Sequence, residues 1–505
     1  MDRCRFATVL LALTAACAPA TPRIDGVPGA PPSPSTLWPV PPEARTPVPS
    51  ATTTNAPEAT TALASDASNA GAALALPDVV DLALRRNPAT HESWMNARAT
   101  ADTYAATRGG LLFPSLDATV NAGRSANAST TGQTLGSGQT IGGTTNSLLR
   151  SQITTSASLS YLLFDLGGRS GSIEEANQRA VAAGLTHNAT VHDVILQVES
   201  ALFSYQADRA LREAQAEAVK DAAADTAAAA ERLRVGVATL ADLLQTRTAL
   251  AQARFQLATV EGDLQSAHGD LATAMGLPAN ARFDVADMSA CDTIVKVAAS
   301  VDSLVNDAIV ARPELAEARA EAASLAAAIR VARSAGYPAL ALSSTAGVLR
   351  TTQTSTIPHT YSLFLGVQIP IFNGFSRQYD VRAAREQYEA GLSRFASTRQ
   401  QVTAQVFAAY TALETATERV RTAGDLLTSA QQSADVALGR YREGVGTIVD
   451  LLLARSALTT ARAEDIQARW EWRTALAQLA HDTGLLTTTG RADLPLSTNG
   501  TNDHQ

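Results

Sequence analysis

The chain contains itself twice. "RLRVGVATLADLL" at 232–244 faces "RYREGVGTIVDLL" at 440–452, with eight of thirteen positions identical at an offset of 208. The same offset holds back to Phe164/Phe372 and Arg169/Arg377, and forward through Ala253-Arg254/Ala461-Arg462 to Gly276-Leu277/Gly484-Leu485. Upstream the register changes. "VVDLALRRNP" at 79–88 faces "LVNDAIVARP" at 304–313 with an offset of 225, and Phe113-Pro114 faces Tyr337-Pro338 with an offset of 224. The first copy therefore carries 16 extra residues between Pro114 and Phe164. One register kept for over a hundred residues is duplication, so whatever one copy builds the other builds too.

Each copy holds a very long helix. Residues 168–235 and 376–443 contain no proline and space their apolar residues helically, as in Val194, Val198, Ala201, Leu202 and Tyr205. Such a helix is on the order of 100 Å long at 1.5 Å per residue. Each ends at a glycine, Gly236 or Gly444, and Thr239 or Thr447 is placed to cap the next helix. The pattern predicts two antiparallel helical hairpins. Shorter helices at about 89–110 and 314–336 run up to Pro114 and Pro338, where proline disfavours helical backbone in the residue before it.

Between the helices the period falls to two. Tyr361, Leu363, Leu365, Val367, Ile369 and Ile371 alternate with mostly small or polar residues. Ile153, Ala157, Leu159, Tyr161 and Leu163 do the same in the first copy, as do Leu116, Ala118, Val120 and Ala122. Segments of about ten residues with one apolar and one polar face are the signature of transmembrane β-barrel strands. The intervening 124–149 is polar and Gly-rich and reads as a surface loop, which tolerates insertion at little cost.

The first seventeen residues read as an export signal. Arg3 and Arg5 precede an apolar run from Phe6 to Ala16, too short to span a bilayer as a helix. Leu13-Thr14-Ala15-Ala16-Cys17 resembles a lipobox, apart from Thr14 where Leu is usual, and makes Cys17 the predicted lipidation site. The alternative is ordinary cleavage near Ala16 to Ala20. Ala18, rather than Asp, after the cysteine resembles lipoproteins sent to the outer membrane. Residues 18–73, rich in Pro, Ala and Thr, cannot bury enough surface to offset their ordering entropy and read as a disordered tether. The repeats then occupy 74–290 and 291–487, with hairpin strands at about 114–164 and 338–371 and long helices at about 168–276 and 376–484, leaving 488–505 as a disordered tail.

Several functions are disfavoured. Net charge is −8 with no dense Lys/Arg run, so nucleic acid is not an expected partner. Cys4, Cys17 and Cys291 make no disulfide framework and no zinc spacing. His187 and His192 lie five apart and do not share a helix face as metal ligands would. No constellation supports catalysis, and no cofactor motif is present: "GSGQTIGG" at 136–143 lacks the strand-then-helix context of a phosphate loop.

Duplicated halves, each with a proline-entered β-hairpin and a long helix pair, resemble the TolC family of outer-membrane efflux proteins. The resemblance covers about 74–487 and rests on Asn87-Pro88, Arg312-Pro313, "LFDLGGR" at 163–169, "IFNGFSR" at 371–377 and the two hairpin tips. The acylated start and the tether resemble its lipoprotein, NodT-like branch. The family fold implies a mainly α chain with a small β part. Three chains with four strands each close a twelve-stranded barrel in the outer membrane, continued by a trimeric α-barrel in the periplasm. Physics independently requires partners, because four strands in lipid leave two edges of unsatisfied backbone at several kcal/mol per group.

The resemblance further implies an exit duct for a tripartite efflux or type I secretion system, working with a periplasmic adaptor and an inner-membrane pump of RND or ABC type. Adaptor docking maps to the tips at Gly236, Thr239, Gly444 and Thr447. The narrowed periplasmic entrance maps to Asp450, with Asp242 its counterpart in the first copy, and to Tyr441. Two departures stand out: Leu453 replaces a second aspartate found in some members, and Gly446 replaces a frequent arginine. Asp450 and Asp242 read alternatively as capping carboxylates. The competing function is a non-conducting, lipid-anchored periplasmic scaffold, which would have no use for outward apolar strand faces.

Overall fold

The computed structural model describes residues 33, 35–38, 73–134, 140–288, 296–297, 300–351, 358–487 and 496–497. Cys17 and Cys291, and most of the predicted tether and tail, lie outside them. In chain order the elements are α1 (Leu76–Arg86), α2 (Pro88–Leu112), β1 (Ser115–Thr134), β2 (Thr140–Phe164), α3 (Gly168–Arg234), α4 (Leu240–Ala274), β3 (Lys296–Val297), α5 (Val301–Ala311), α6 (Pro313–Ser334), β4 (Ala339–Thr351), β5 (His359–Gln368), α7 (Ser376–Arg442), α8 (Ile448–Asp482) and β6 (Leu496–Ser497). The duplication is complete at this level: α3 and α7 are 67 residues each, α4 and α8 are 35 each. The residues fall into two compact units.

The first unit gathers 99–177 and 330–378. Its antiparallel sheet runs β1-β2-β4-β5, so the two hairpins meet through β2 and β4. The outer edges of β1 and β5 carry no ladder partner among the described residues. Leu116, Val120, Tyr361, Leu363, Leu365 and Val367 are all exposed, the apolar face predicted from the alternation. At the strand-to-helix junctions Arg169 donates to the Leu162 carbonyl at 3.0 Å and Arg377 to the Pro370 carbonyl at 2.9 Å. Each arginine thus satisfies a carbonyl seven residues upstream, which explains why both copies keep it.

One expectation fails here. The described residues of the 124–149 stretch, 124–134 and 140–149, continue the hairpin where a loop was expected: β1 and β2 stay paired from Arg124↔Ser151 to Thr134↔Thr140, with one irregularity after Thr131. β-Branched threonine favours extended backbone, and a long ladder satisfies its own polar groups without any apolar face. The extra residues lengthen the first hairpin, whose strands run 20 and 25 residues against 13 and 10 in the second.

The second unit holds 30–98, 178–329 and 379–505. Its core joins Val79 and Leu84 of α1, Ile195 and Leu202 of α3, Met275, Leu304 of α5, Val406 of α7 and Leu479 of α8. Away from it the helices pack on small side chains: Ala430 and Ala434 of α7 meet Ala454, Leu458 and Ala461 of α8. Alanine lets helix axes approach closely and carries no rotamer entropy, so a chain poor in aromatics can still zip long helices together.

Within the segment expected to be a tether, Trp38 is docked. It is 4% exposed, packed on Val181, Leu185 and Ala320. Its N–H donates to Asn188 Oδ1 at 2.7 Å and its carbonyl accepts from Asn188 Nδ2 at 3.0 Å. Gly184 makes the room, since a Cβ there would lie 2.8 Å from the indole. Disorder follows from lack of buried apolar surface, and one tryptophan supplies enough of it locally.

Candidate functional site

The hairpin tips are built by backbone chemistry that the sequence specifies. Gly236 and Gly444 take φ of 82° and 76°, the left-handed region that favours glycine. The turn that follows closes each long helix with two hydrogen bonds. In the first copy Gly236 N–H donates to Leu233 O and Val237 N–H to Arg232 O; in the second, Gly444 donates to Tyr441 and Val445 to Arg440. Three residues later Thr239 and Thr447 start α4 and α8 as N-caps, each accepting from the N–H of Asp242 or Asp450 at 3.2 Å. The carboxylates answer reciprocally, Asp242 accepting the Thr239 N–H at 2.8 Å and Asp450 the Thr447 N–H at 3.2 Å. All four residues are thus in capping boxes, the alternative reading of both aspartates. Asp450 is fully exposed, and its bonds from Thr447 hold its carboxyl below the usual range.

Tyr441 sits differently. It is buried against Ile448 and Leu451, and burial pushes its phenol up. Its hydroxyl has no hydrogen-bond partner among the described residues. The contact it does make is with Arg232, at the end of α3. The guanidinium lies 4.7 Å from the ring centroid and Nη1 donates to the Tyr441 carbonyl at 2.6 Å. A second cross-copy link runs from α8 to α3, Arg455 reaching Asp221 at 2.7 Å and Asp225 at 3.6 Å. Beside it is a cavity of about 500 Å³ lined by Gln215, Asp221, Asp225, Gln252, Arg455 and Arg462. Around the turns Val237, Leu240 and Leu244 in one hairpin and Val445, Val449 and Leu453 in the other are exposed.

Of the residues read from the sequence, Gly236, Thr239 and Asp242 stand together at one turn, and Gly444, Thr447 and Asp450 at the other. The reading missed Arg232 and Arg455, because a contact between residues 209 or 234 apart leaves no local spacing to detect. One signal was available: Tyr441 breaks the repeat where the first copy has Leu233.

A buried charge cluster marks the second copy's proline junction. Arg312 pairs with Glu314 at 2.8 Å and lies 3.9 Å from Asp482, while His481 bonds Asp482 and Asp193, each at 3.0 Å. The first copy makes the equivalent contact without charge, Asn87 Nδ2 donating to the Ala274 carbonyl at 3.0 Å. The cluster thus elaborates a packing contact that both copies share. His187 and His192 are not brought together as ligands; His187 instead bonds Ser93 at 2.8 Å. Among the described residues no group of three His, Cys, Asp or Glu side chains could hold a metal. None of their helices is long and apolar enough to cross a membrane, which says nothing about the strands.

Comparison with known proteins agrees with this architecture. The sequence model for outer membrane efflux protein matches 79–277 and 304–485, the two repeats themselves. CyaE of Bordetella pertussis is 27% identical over 413 residues, 81% of this chain and 83% of that one. The toluene efflux pump outer membrane protein TtgC of Pseudomonas putida is 26% identical over 77% of this chain and 78% of its own. The open-state MtrE outer membrane channel of Neisseria gonorrhoeae shares the fold, with a TM-score of 0.67 at 20% identity, over 81% of this chain and 88% of that one. With both copies matched, the chain belongs to the outer membrane efflux protein family, the TolC-type channels of the outer membrane.

Proposed function

We propose that three copies of this chain close a single duct through the outer membrane and pass substrates outward without an energy source of their own. The observation that carries this reading is the four-stranded sheet with two unpartnered edges and an exposed apolar face. In hydrocarbon each free backbone group costs several kcal/mol, so both edges must meet sister chains. Three sheets of four strands give twelve, within the range of membrane barrels.

Cys17, acylated, would add a lipid anchor joined to the helices by the 18–73 segment; the expectation of a disordered tail over 488–505 is corrected at Leu496–Ser497, which pairs antiparallel with Lys296–Val297. The exposed apolar residues beside Gly236, Thr239, Gly444 and Thr447 suit docking of a periplasmic adaptor, which links the duct to an inner-membrane pump of RND or ABC type. Asp450 and Asp242 remain exposed while serving as caps, so three copies can also present a carboxylate ring at the entrance. Such a ring concentrates cations and repels anions. Tyr441 belongs to the same entrance as a packing residue.

The test is conductance of the purified protein in a planar bilayer, with cysteine crosslinking of β1 to β5 between chains. Discrete cation-preferring channels and a crosslinked trimer are expected. Protein that needs no detergent after delipidation and gives no channels would instead support the scaffold.

A further inference from the structure

Residues paired across an antiparallel ladder lie on the same face, so the register carries the apolar face from β1 to β5. Leu116 shares it with Leu159, Tyr161 with Leu342, and Leu342 with Leu365. Followed toward the hairpin ends, the same face reaches Arg124 of β1, paired with Ser151, and Arg350 of β4, paired with Ile153. Both arginines are exposed. The one carboxylate in the four strands is Asp117, and its pairing with Ser158 puts it on the opposite face. Each hairpin thus contributes one arginine, from its first strand, with β2 between them. Arg124, Ser151, Ile153 and Arg350 line one groove of about 640 Å³. Two strand spacings and a two-residue stagger put the arginine Cα atoms about 12 Å apart, so both side chains can reach one ligand. Their height follows from the numbering: Arg124 is eight residues beyond Leu116, and Arg350 ten beyond Leu340. Along strands tilted by about 40° that is a rise of about 20–25 Å, the height of the apolar band of a membrane barrel. The helices leave the sheet at its other end, at Gly168 and Ser376, so the arginines stand at the outer boundary of the band.

We propose that Arg124 and Arg350 form a site on the outer wall of the barrel for the phosphate groups of the outer leaflet's glycolipid. The inference rests on the reading of the sheet as a barrel wall. Three observations converge on it. An arginine on a lipid-facing strand is costly at mid-bilayer and nearly free at the boundary, and both arginines occupy the boundary. Lipid headgroups lie at that level, and a phosphorylated sugar there offers what a guanidinium fork binds best, paired anionic oxygens that accept two parallel N–H bonds. No carboxylate shares the face to compete for the two cations. The apolar residues beneath them, Val120 and Ile153 among others, would meet the acyl chains of the same lipid. A lipid held by both arginines spans β1, β2 and β4, so it ties the first hairpin to the second where the ladder between them ends at Gln152↔Thr351. Three chains give three such sites around the barrel.

The test is native mass spectrometry of detergent-solubilised trimers titrated with short-sugar lipopolysaccharide, with the same lipid stripped of its phosphates, and with inorganic phosphate alone. The native chain is compared with Arg124→Gln, Arg350→Gln, both together, and the pair Arg124→Lys and Arg350→Lys. Native trimers should bind the phosphorylated lipid at least ten times more tightly than the stripped one. Each single glutamine variant should weaken that binding several-fold, and the double variant should bind both lipids alike. The lysine pair should fall between, since an ammonium keeps the charge but not the fork. Equal binding of the phosphorylated lipid by native and double-glutamine trimers would overturn the proposal, as would equal binding of the two lipids by native trimers. Inorganic phosphate held without lipid, and lost with the arginines, would overturn the lipid assignment in favour of a free anion. Where the double variant yields no trimer, the single variants decide by the same comparison. Native protein that forms neither trimers nor channels would remove the barrel reading itself, an outcome distinct from intact trimers that ignore the phosphates.

Discussion

Asn188 grips Trp38 by both polar groups of one residue's backbone, accepting its N–H at 2.7 Å and donating to its carbonyl at 3.0 Å. The amide does for this short segment what a neighbouring strand would do, and the indole fills the notch left by Gly184. The N-terminal region is therefore fastened to α3 twenty-one residues after Cys17. Trp38→Ala removes a fully packed aromatic, a loss of about 3–5 kcal/mol for the docked segment. Gly184→Val should release the same segment by filling the notch. Limited proteolysis should then cut near residue 38 at least ten times faster in both variants, while the trimer's dissociation temperature changes little. Unchanged cleavage would mean that the clasp does not hold the segment.

The strand faces make a prediction of opposite outcomes at adjacent residues. Leu363 is exposed on the apolar face of β5, and Ser362 points to the other side. Arginine at a lipid-facing barrel position costs about 2–4 kcal/mol near the bilayer midplane. Leu363→Arg should reduce the trimer recovered from outer membranes. Ser362→Arg should assemble and shift ion preference toward anions, because three new charges would line the water-filled side. Equal assembly of the two variants would contradict the assigned faces.

The same alternation shows how far the residues alone lead. Period two was legible wherever one face meets lipid, as at Tyr361 to Val367, because burial writes itself into residue type. It was illegible at 125–150, where the pairing runs on through Ser, Thr and Gly with no apolar face to mark it. The tips were readable because Gly236, Thr239 and Asp242 act within a few residues of each other, and so do their counterparts. Arg232 with Tyr441, Arg455 with Asp221, and Trp38 with Gly184 were not, since each pair is set by how distant helices or segments meet. A solitary tryptophan among prolines gave no period at all, and only the notch across from it explains its place.

Caps are local enough to be tested one at a time. Thr447→Ala removes the hydroxyl that accepts the Asp450 N–H, a loss of about 1 kcal/mol for a helix N-terminus. Hydrogen exchange at the first turn of α8 should quicken roughly five-fold, and Thr239→Ala should do the same at α4. Thr447→Ser, which keeps the acceptor, should restore slow exchange. Failure of serine to rescue would show that the methyl contact, and not the cap, orders the turn.

His481 supplies the pH dependence. Burial alone would push its imidazole down, but hydrogen bonds to Asp193 and Asp482 outweigh that and raise its pKa to about 9. Arg312, 3.9 Å from Asp482, draws on the same carboxylate, and burial keeps the nearby His192 below its ordinary value. The folded chain thus holds the His481 proton more tightly than an unfolded chain, whose histidine titrates near 6.5. The sign follows: the contribution is complete below about pH 6.5 and fades as pH rises through 9. Asp193 is largely exposed and screened by water, so the buried Asp482 carries most of an effect of roughly 2 kcal/mol per chain. The trimer's dissociation temperature should therefore fall between pH 7 and pH 9.5. His481→Gln should lower it at pH 7 and flatten the slope, whereas Asp193→Asn should change both only slightly. A slope that survives His481→Gln would assign the titration to another group.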